Sequence, residues 1–321
     1  MRQRKHLLAW RSVSCDVQCM TMPKWASATL ACPRCGGALS GFTAKQATVV
    51  RCQDCGPYPV LAGVPVLVPE PSLWCATFYD AALSALAEVD LSSRVAVQTL
   101  KAFADASVGA EAGRFSDDWT SWEALGGAAP ALHEGPGADA LAELLKVATE
   151  QAPSLWLEHR TPDGVVLEIG CGAGAMSAKL ATKRRSLLVG DVSLRAVLTA
   201  SHRSGAVPVV MDAQALPVRA KSLDGLLSEN VVDLLDDAEA FFTSAKLALK
   251  PKGALLLSSP APSLQSPDED DDMLTRLARS SGFTVDEGAD GLPWLRRNSG
   301  RFLEVWLVQV LSLRHSAAAR R

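Results

Sequence analysis

An α/β fold built on a parallel sheet is what this sequence predicts, and three observations carry the prediction. Residues 165–174 read Val-Val-Leu-Glu-Ile-Gly-Cys-Gly-Ala-Gly, an apolar run that breaks into closely spaced glycines. A buried parallel strand ends this way in a tight turn that opens a helix, and the missing Cβ lets backbone approach a ligand. Short apolar runs recur at 187–191 and 207–211, the first ending in Asp191 and the second followed by Asp212-Ala213. Helical patterns at 175–183 and 193–204 separate them, the alternation expected of βαβ units.

The length of 321 residues and the 48% hydrophobic composition allow roughly two domains with sizeable cores. Thirty-two Lys plus Arg against 35 Asp plus Glu leave a formal charge of -3, so no global positive field advertises nucleic-acid binding. A local basic face, such as Lys183-Arg184-Arg185 or Arg296-Arg297 with Arg301, is still compatible with RNA, and surface solvation explains these clusters equally well. No run approaches the ~18 to 20 apolar residues of a membrane span. Leu7-Leu8-Ala9-Trp10 is too short for a secretory core, so the protein is expected in the cytoplasm.

In chain order, residues 1–21 lack periodicity and read as a disordered tail, with Cys15 and Cys19 as bystanders. Residues 22–71 form the first unit. Cys32-Pro33-Arg34-Cys35 and Cys52-Gln53-Asp54-Cys55 are two C-x-x-C pairs 16 residues apart, the spacing of a four-thiolate zinc site. Gly36, Gly37 and Gly56 suit the tight turns in which backbone amides point at sulfur. Four thiolates leave zinc no open position, so such a site is structural; two disulfides, disfavoured in a reducing compartment, or four unrelated buried thiols are the alternatives. Pro59 and Pro65 limit residues 58–68 to edge-strand pairing.

Residues 72–160 read as a mainly helical linker or lid. Helical spacing marks 78–89, 94–106 and 138–149, and a Gly/Pro-rich loop at 126–137 interrupts them. Trp119, Trp122 and His133 lie by that break, as pocket lining or as plain packing. Residues 161–315 form the remaining unit. Leu223 and Asp224 approach a fourth strand, Leu249-Lys250-Pro251-Lys252-Gly253 precedes a fifth, and 236–249 and 271–281 read as helices. Residues 283–287 and 301–313 are the expected last strands. The acidic run at 268–272 reads as a solvated loop whose charge favours the next helix N-terminus. No internal repeat is present.

Two cofactor classes compete for the glycine turn. Gly170, Gly172 and Ala175 satisfy a dinucleotide fingerprint, with Asp191 near the expected offset for a ribose acid. Glu168, the closer Gly170, Gly172, Gly174 spacing, and the ordered motifs that follow break the tie. On those residues, 163–313 resembles a class I S-adenosylmethionine-dependent methyltransferase, which implies a Rossmann-like seven-stranded sheet with the last strand antiparallel. The cysteine pairs with Tyr58-Pro59-Val60 and Gly63-Val64-Pro65 are similar to the small zinc-ribbon proteins that partner and activate RNA- and protein-modifying methyltransferases. With both in one chain, the resemblance implies a fused version of that partnership.

The resemblance implies that Gly170, Gly172 and Gly174 pass close to S-adenosylmethionine, with Glu168 shaping the loop. Asp191 takes the ribose hydroxyls, Asp212 the adenine amino group, and the Ala213 amide lies nearby; ordinary strand-end capping is the alternative for both acids. Glu229 is the candidate near the transferred methyl group, as base or substrate anchor, or else a solvent-facing acid. An Asn-Pro-Pro-Tyr type motif is absent. Cys171 reads as a small residue tolerated between glycines. The implied function is methyl transfer to an RNA, protein or small-molecule acceptor, with structural Zn2+ on Cys32, Cys35, Cys52 and Cys55 and a protein partner through the ribbon. A non-catalytic scaffold and an NAD-dependent oxidoreductase are the competing classes.

Overall fold

The amino-terminal unit begins with α1 (Lys24–Thr29) and four short strands, β1 (Leu39–Ser40), β2 (Val49–Cys52), β3 (Gly56–Leu61) and β4 (Val64–Leu67). Helices α2 (Pro71–Thr77), α3 (Tyr79–Glu88) and α4 (Arg94–Asp105) follow. The remainder runs α5 (Pro153–Arg160), β5 (Gly164–Ile169), α6 (Ala175–Leu180), β6 (Arg185–Asp191), α7 (Leu194–Ser204), β7 (Val207–Met211) and β8 (Leu223–Glu229). It ends with α8 (Ala238–Ala248), β9 (Leu249–Pro260), α9 (Met273–Ser280), β10 (Phe283–Ser299) and β11 (Phe302–His315). This computed structural model describes residues 22–42, 47–88, 91–107, 152–260, 273–299 and 302–315. The expectations for residues 1–21, for 126–149 with Trp119, Trp122 and His133, and for the 268–272 run lie outside them.

The strands lie in the order β1-β2-β3-β4-β7-β6-β5-β8-β9-β11-β10. β7, β6, β5, β8 and β9 are parallel neighbours, whereas β11 runs antiparallel between β9 and β10. The Rossmann-like mixed sheet that the motifs imply is therefore present. Parallel strands are covered on both faces and so carry near-continuous apolar runs, as Val166, Leu167 and Ile169 of β5 do. Side chains alternate between the faces. Leu167, Leu226 and Leu255 pack with Phe241 and Phe242 of α8, and Val166, Leu227 and Leu256 pack with Met176 of α6 and Val197 of α7.

Local signals close the helices. The Ser193 hydroxyl accepts from Ala196 N and Asp237 Oδ1 accepts from Ala240 N, capping α7 and α8. Gly205 ends α7 at φ 71°. Helix α6 stops at Leu180, short of residue 183, because the chain turns extended at Ala181. The last hairpin departs further from expectation. β10 extends to Ser299 rather than ending near residue 287, since cross-strand pairing with β11 continues through Trp294↔Trp306 to Ser299↔Phe302.

The amino-terminal unit wraps the β7 edge. β4 pairs with β7 in parallel through Val66↔Val210 and Leu67↔Met211, with α1 toward the α8 face and α2–α4 on the other. Residues 29–31 run against 217–219, with Ala31 N donating to Pro217 O at 2.8 Å and Arg219 N to Thr29 O at 2.8 Å. The edge-only expectation for residues 58–68 is corrected here, because both β3 and β4 are paired on two sides. The prolines are accommodated by short ladders: Pro59 lies outside the β3–β4 ladder and Pro65 outside the β4–β7 ladder.

No helix among the described residues is long and apolar enough to cross a membrane.

Candidate functional site

At the carboxyl end of β5 the chain turns through Gly170, Gly172 and Gly174 at φ 72°, 47° and 78°, all left-handed. The space beside two of these glycines is taken by the protein itself. A Cβ on Gly170 would lie 2.2 Å from Val231 Cγ2, and one on Gly174 2.5 Å from Ala200 Cα in α7. Four of the loop amides are also spent internally. Gly170 N and Cys171 N donate to Gly190 O, Gly172 N to Asp191 Oδ2 at 3.1 Å, and Gly174 N to Cys171 O.

Strand alternation brings the predicted acids together. Glu168 follows Val166 onto the α6 face of β5, Asp191 follows Val189 on β6, and Glu229 follows Leu227 on β8. Glu168 is 2% exposed and accepts one hydrogen bond, from the Ser177 hydroxyl at 2.5 Å. Burial pushes its carboxyl up to about 8, opposed by Ser177 and reinforced by the charges of Glu229 and Asp191. Asp191 is 5% exposed; Oδ1 takes Ser193 N at 2.9 Å and Oδ2 takes Gly172 N. Burial outweighs these amides and raises it to about 6. Glu229 is half-buried, and desolvation lifts it to about 7 against the pull of Lys179.

Asp212 stands at the end of β7, where Oδ1 accepts from Gln214 N at 2.9 Å and caps the 3-10 turn Ala213–Ala215. Ala213 is buried. Gln214 in turn accepts from Asp237 N at 2.8 Å, tying this turn to the cap of α8.

Sequence reasoning passed over three contributors. Asn230 sits at φ 55° with its Oδ1 taking the Ser258 hydroxyl at 2.9 Å, while its Nδ2 is buried without a partner. Asparagine tolerates the left-handed region, so a lone Asn after a strand was the available signal. Trp74 Nε1 donates to Val192 O at 2.9 Å, bracing the turn after Asp191 from α2; no local pattern announces so distant a contact. Ser177 lies one helical turn into α6 beneath Glu168.

The basic cluster at 183–185 has a structural use. Arg185 donates to the carbonyls of Thr161 at 2.7 Å and Pro162 at 3.1 Å, and Arg184 forms an exposed pair with Asp163 at 3.8 Å. The side chains of Arg296, Arg297 and Arg301 lie outside the described residues.

The donor set discriminates between cofactors. A dinucleotide pyrophosphate sits on free amides, whereas the amides of Gly170, Cys171, Gly172 and Gly174 are occupied and Glu168 and Glu229 stand by the turn in addition to the Asp191 that a ribose would take in either cofactor. A sulfonium nucleoside, which brings positive charge, ribose hydroxyls and an adenine amino group, fits acceptors of this kind.

The four cysteines also converge. The sulfur atoms of Cys32, Cys35, Cys52 and Cys55 all lie within 4.8 Å of one another, with Cys35 and Cys52 3.5 Å apart. Zn–S bonds of ~2.3 Å in a tetrahedron put sulfurs a little under 4 Å apart, so the set fits zinc. Gly37 N points at Cys35 Sγ at 3.4 Å, and a Cβ on Gly37 would crowd that sulfur at 3.1 Å.

Residues 167–257 match the model of a family described as a methyltransferase domain. A ubiquinone biosynthesis O-methyltransferase of Rhizobium johnstonii is 24% identical over 142 residues, covering 43% of this chain and 52% of that protein. A malonyl-(acyl-carrier protein) O-methyltransferase of Hahella chejuensis is 30% identical over 126 residues, 38% of this chain and 44% of that protein. The chain thus spans about half the length of the curated relatives it matches. An N-methyltransferase of Bradyrhizobium japonicum, solved with S-adenosyl-L-homocysteine, aligns at TM-score 0.43 and 19% identity over 63% of this chain and 100% of that one.

Proposed function

We propose that this chain is an S-adenosylmethionine-dependent methyltransferase acting on an oxygen nucleophile, with a built-in structural zinc ribbon. The observation that carries the reading is the set of acids at the glycine turn, buried Glu168 and Asp191 with half-buried Glu229, around a loop of which four amides are already bonded, a setting that favours a cation over a phosphate. The domain match over 167–257 supports it, and the names of the two curated relatives support the oxygen acceptor.

Asp191 holds the ribose hydroxyls. Two of its lone pairs take amides, and a carboxylate has about four acceptor positions, so capacity remains. Asp212 and the Ala213 amide hold the adenine. Gly170, Gly172 and Gly174 give the loop the shape that sets these acids apart, and Glu168 supplies negative charge beneath it. When bound, the cofactor supplies an electrophilic methyl group on sulfur. The chain orients the two reactants in line, excludes water and holds the acceptor's proton, and Glu229 is the group placed for that last task.

Zinc on the four cysteines holds the ribbon in shape, and through residues 29–31 the ribbon braces the 212–219 segment. β4 pairs with β7 of the same chain, so that contact needs no separate partner. A scaffold without turnover has no physical need for two buried carboxylates beside a third, half-buried one. Calorimetry of the full chain with S-adenosylmethionine, S-adenosylhomocysteine and NAD tests the reading: both sulfur compounds bind and NAD does not. Binding of neither sulfur compound defeats it. Incubation with methyl-labelled cofactor and fractionated extract then assigns the acceptor, with label expected in base-labile methyl esters or in methyl ethers.

A further inference from the structure

We propose that Glu168, Asp191 and Glu229 act as one proton-exchanging cluster that gives up a proton when the sulfonium cofactor docks. Glu229 then receives the acceptor's proton as methyl transfer removes the positive charge. The proposal rests on the cofactor reading above and goes beyond it, since that reading requires only that the acids bind.

The geometry is that of three strand ends on one face. Glu168 is paired in register with Leu227 and Val189, so Glu229 lies two residues further along one neighbouring strand and Asp191 two residues along the other. Strand spacing and rise put these Cα atoms roughly 8 Å apart from that of Glu168, within reach of two carboxylate side chains leaning together. The charged and titratable groups around them supply little compensation. Lys179 of α6 acts on Glu229, and its Nζ also reaches Ser154 Oγ of α5 at 3.4 Å. Arg195 of α7 turns to Glu88 of α3 at 2.8 Å. The Cys171 thiol in the loop is itself pushed well up by burial and by Asp191 and Glu168. Asp212 caps its own turn, and Asp233 beyond β8 takes the Ser259 hydroxyl. Among the described residues, no Lys or Arg forms an ion pair with Glu168 or Asp191.

Desolvated acids side by side, with Lys179 acting on Glu229 alone, hold protons near neutrality. Burial raises Glu168 to about 8 and Glu229 to about 7, and a cation arriving among them favours the ionised form. The transfer step then balances within the site. An acceptor oxygen lone pair forms the new C–O bond, the C–S bond breaks with its electron pair going to sulfur, and the acceptor's proton moves to the Glu229 carboxylate. One cation and one carboxylate become two neutral groups, so no net charge is created in a water-poor site, where it is most costly.

Calorimetry of the full chain between pH 6 and 9, in two buffers of different protonation enthalpy, tests this with S-adenosylmethionine and its neutral thioether product. Near pH 7 the sulfonium compound should release about half to one proton more than the thioether, and its affinity should rise by up to about tenfold per pH unit, levelling above about 8. Glu229→Gln should shrink the difference in proton release while leaving thioether binding nearly unchanged. Equal proton release for the two ligands overturns the cluster and leaves the cofactor reading intact. Binding of neither ligand removes both.

Discussion

Glu168→Gln separates the burden of this carboxylate on folding from its use in the site. The substitution is isosteric and keeps an oxygen for the Ser177 hydroxyl. Burial raises the carboxyl from 4.5 to about 8, so the fold favours the protonated form. Its contribution to stability is therefore fully present below about 4.5 and is lost as pH rises through about 8. At ~1.4 kcal/mol per pH unit the ceiling is ~5 kcal/mol, and relaxation around coupled acids reduces this to about 2 to 4 kcal/mol. Without ligand, Glu168→Gln and the parent should melt together near pH 5. At pH 8 the variant should melt higher by about 5 to 10 °C. The assay is thermal unfolding of both proteins across pH 5 to 8.5, with and without S-adenosylmethionine, which should close the gap by stabilising the parent more. Melting curves that stay parallel across this range would falsify the claim that Glu168 is an uncompensated buried acid.

Asp191→Ala removes the acceptors for Gly172 N and Ser193 N as well as those for ribose. It should weaken cofactor binding by about 1.5 to 3 kcal/mol, and unchanged affinity by calorimetry would discard the ribose assignment. Gly170→Ala drives a methyl group into Val231 at a left-handed φ; it should destabilise the fold by ~2 kcal/mol or more, with Gly170→Ala/Val231→Ala recovering part of the loss in a denaturant titration. Were the double variant no better than the single, Val231 would not be the obstacle. Removing zinc with a chelator should lower the melting temperature and broaden the transition, because Cys32 adjoins residues 29–31, which bond to 217–219. Metal analysis should find about one zinc per chain, and a protein purified without chelator yet free of metal would refute the site.

The ribbon also bears on how the sheet is finished. β7 would otherwise present an open edge, a liability that proteins cover or pair. β4 closes it through Val66 and Leu67, and the ribbon's Ala26, Leu30 and Tyr58 enter the same core as Leu188 and Val209. Because β4 and β7 belong to one chain, this closure is intramolecular and needs no second chain at sufficient concentration.

Much of this was legible in the sequence because the signals are local. The glycine turn, the strand-end acids Asp191 and Asp212 and the paired C-x-x-C motifs all follow from backbone constraints or ligand chemistry within a few residues. Only tertiary structure decided the rest, because it depends on which distant segments meet. The two-sided pairing of β3 and β4, the reach of β10 to Ser299, Trp74 against Val192, and Val231 above Gly170 join positions far apart in the chain. So does the grouping of Glu168, Asp191 and Glu229: each acid is an ordinary carboxylate in the sequence, and only neighbouring strand ends on one face of the sheet bring the charges of Asp191 and Glu229 to bear on Glu168.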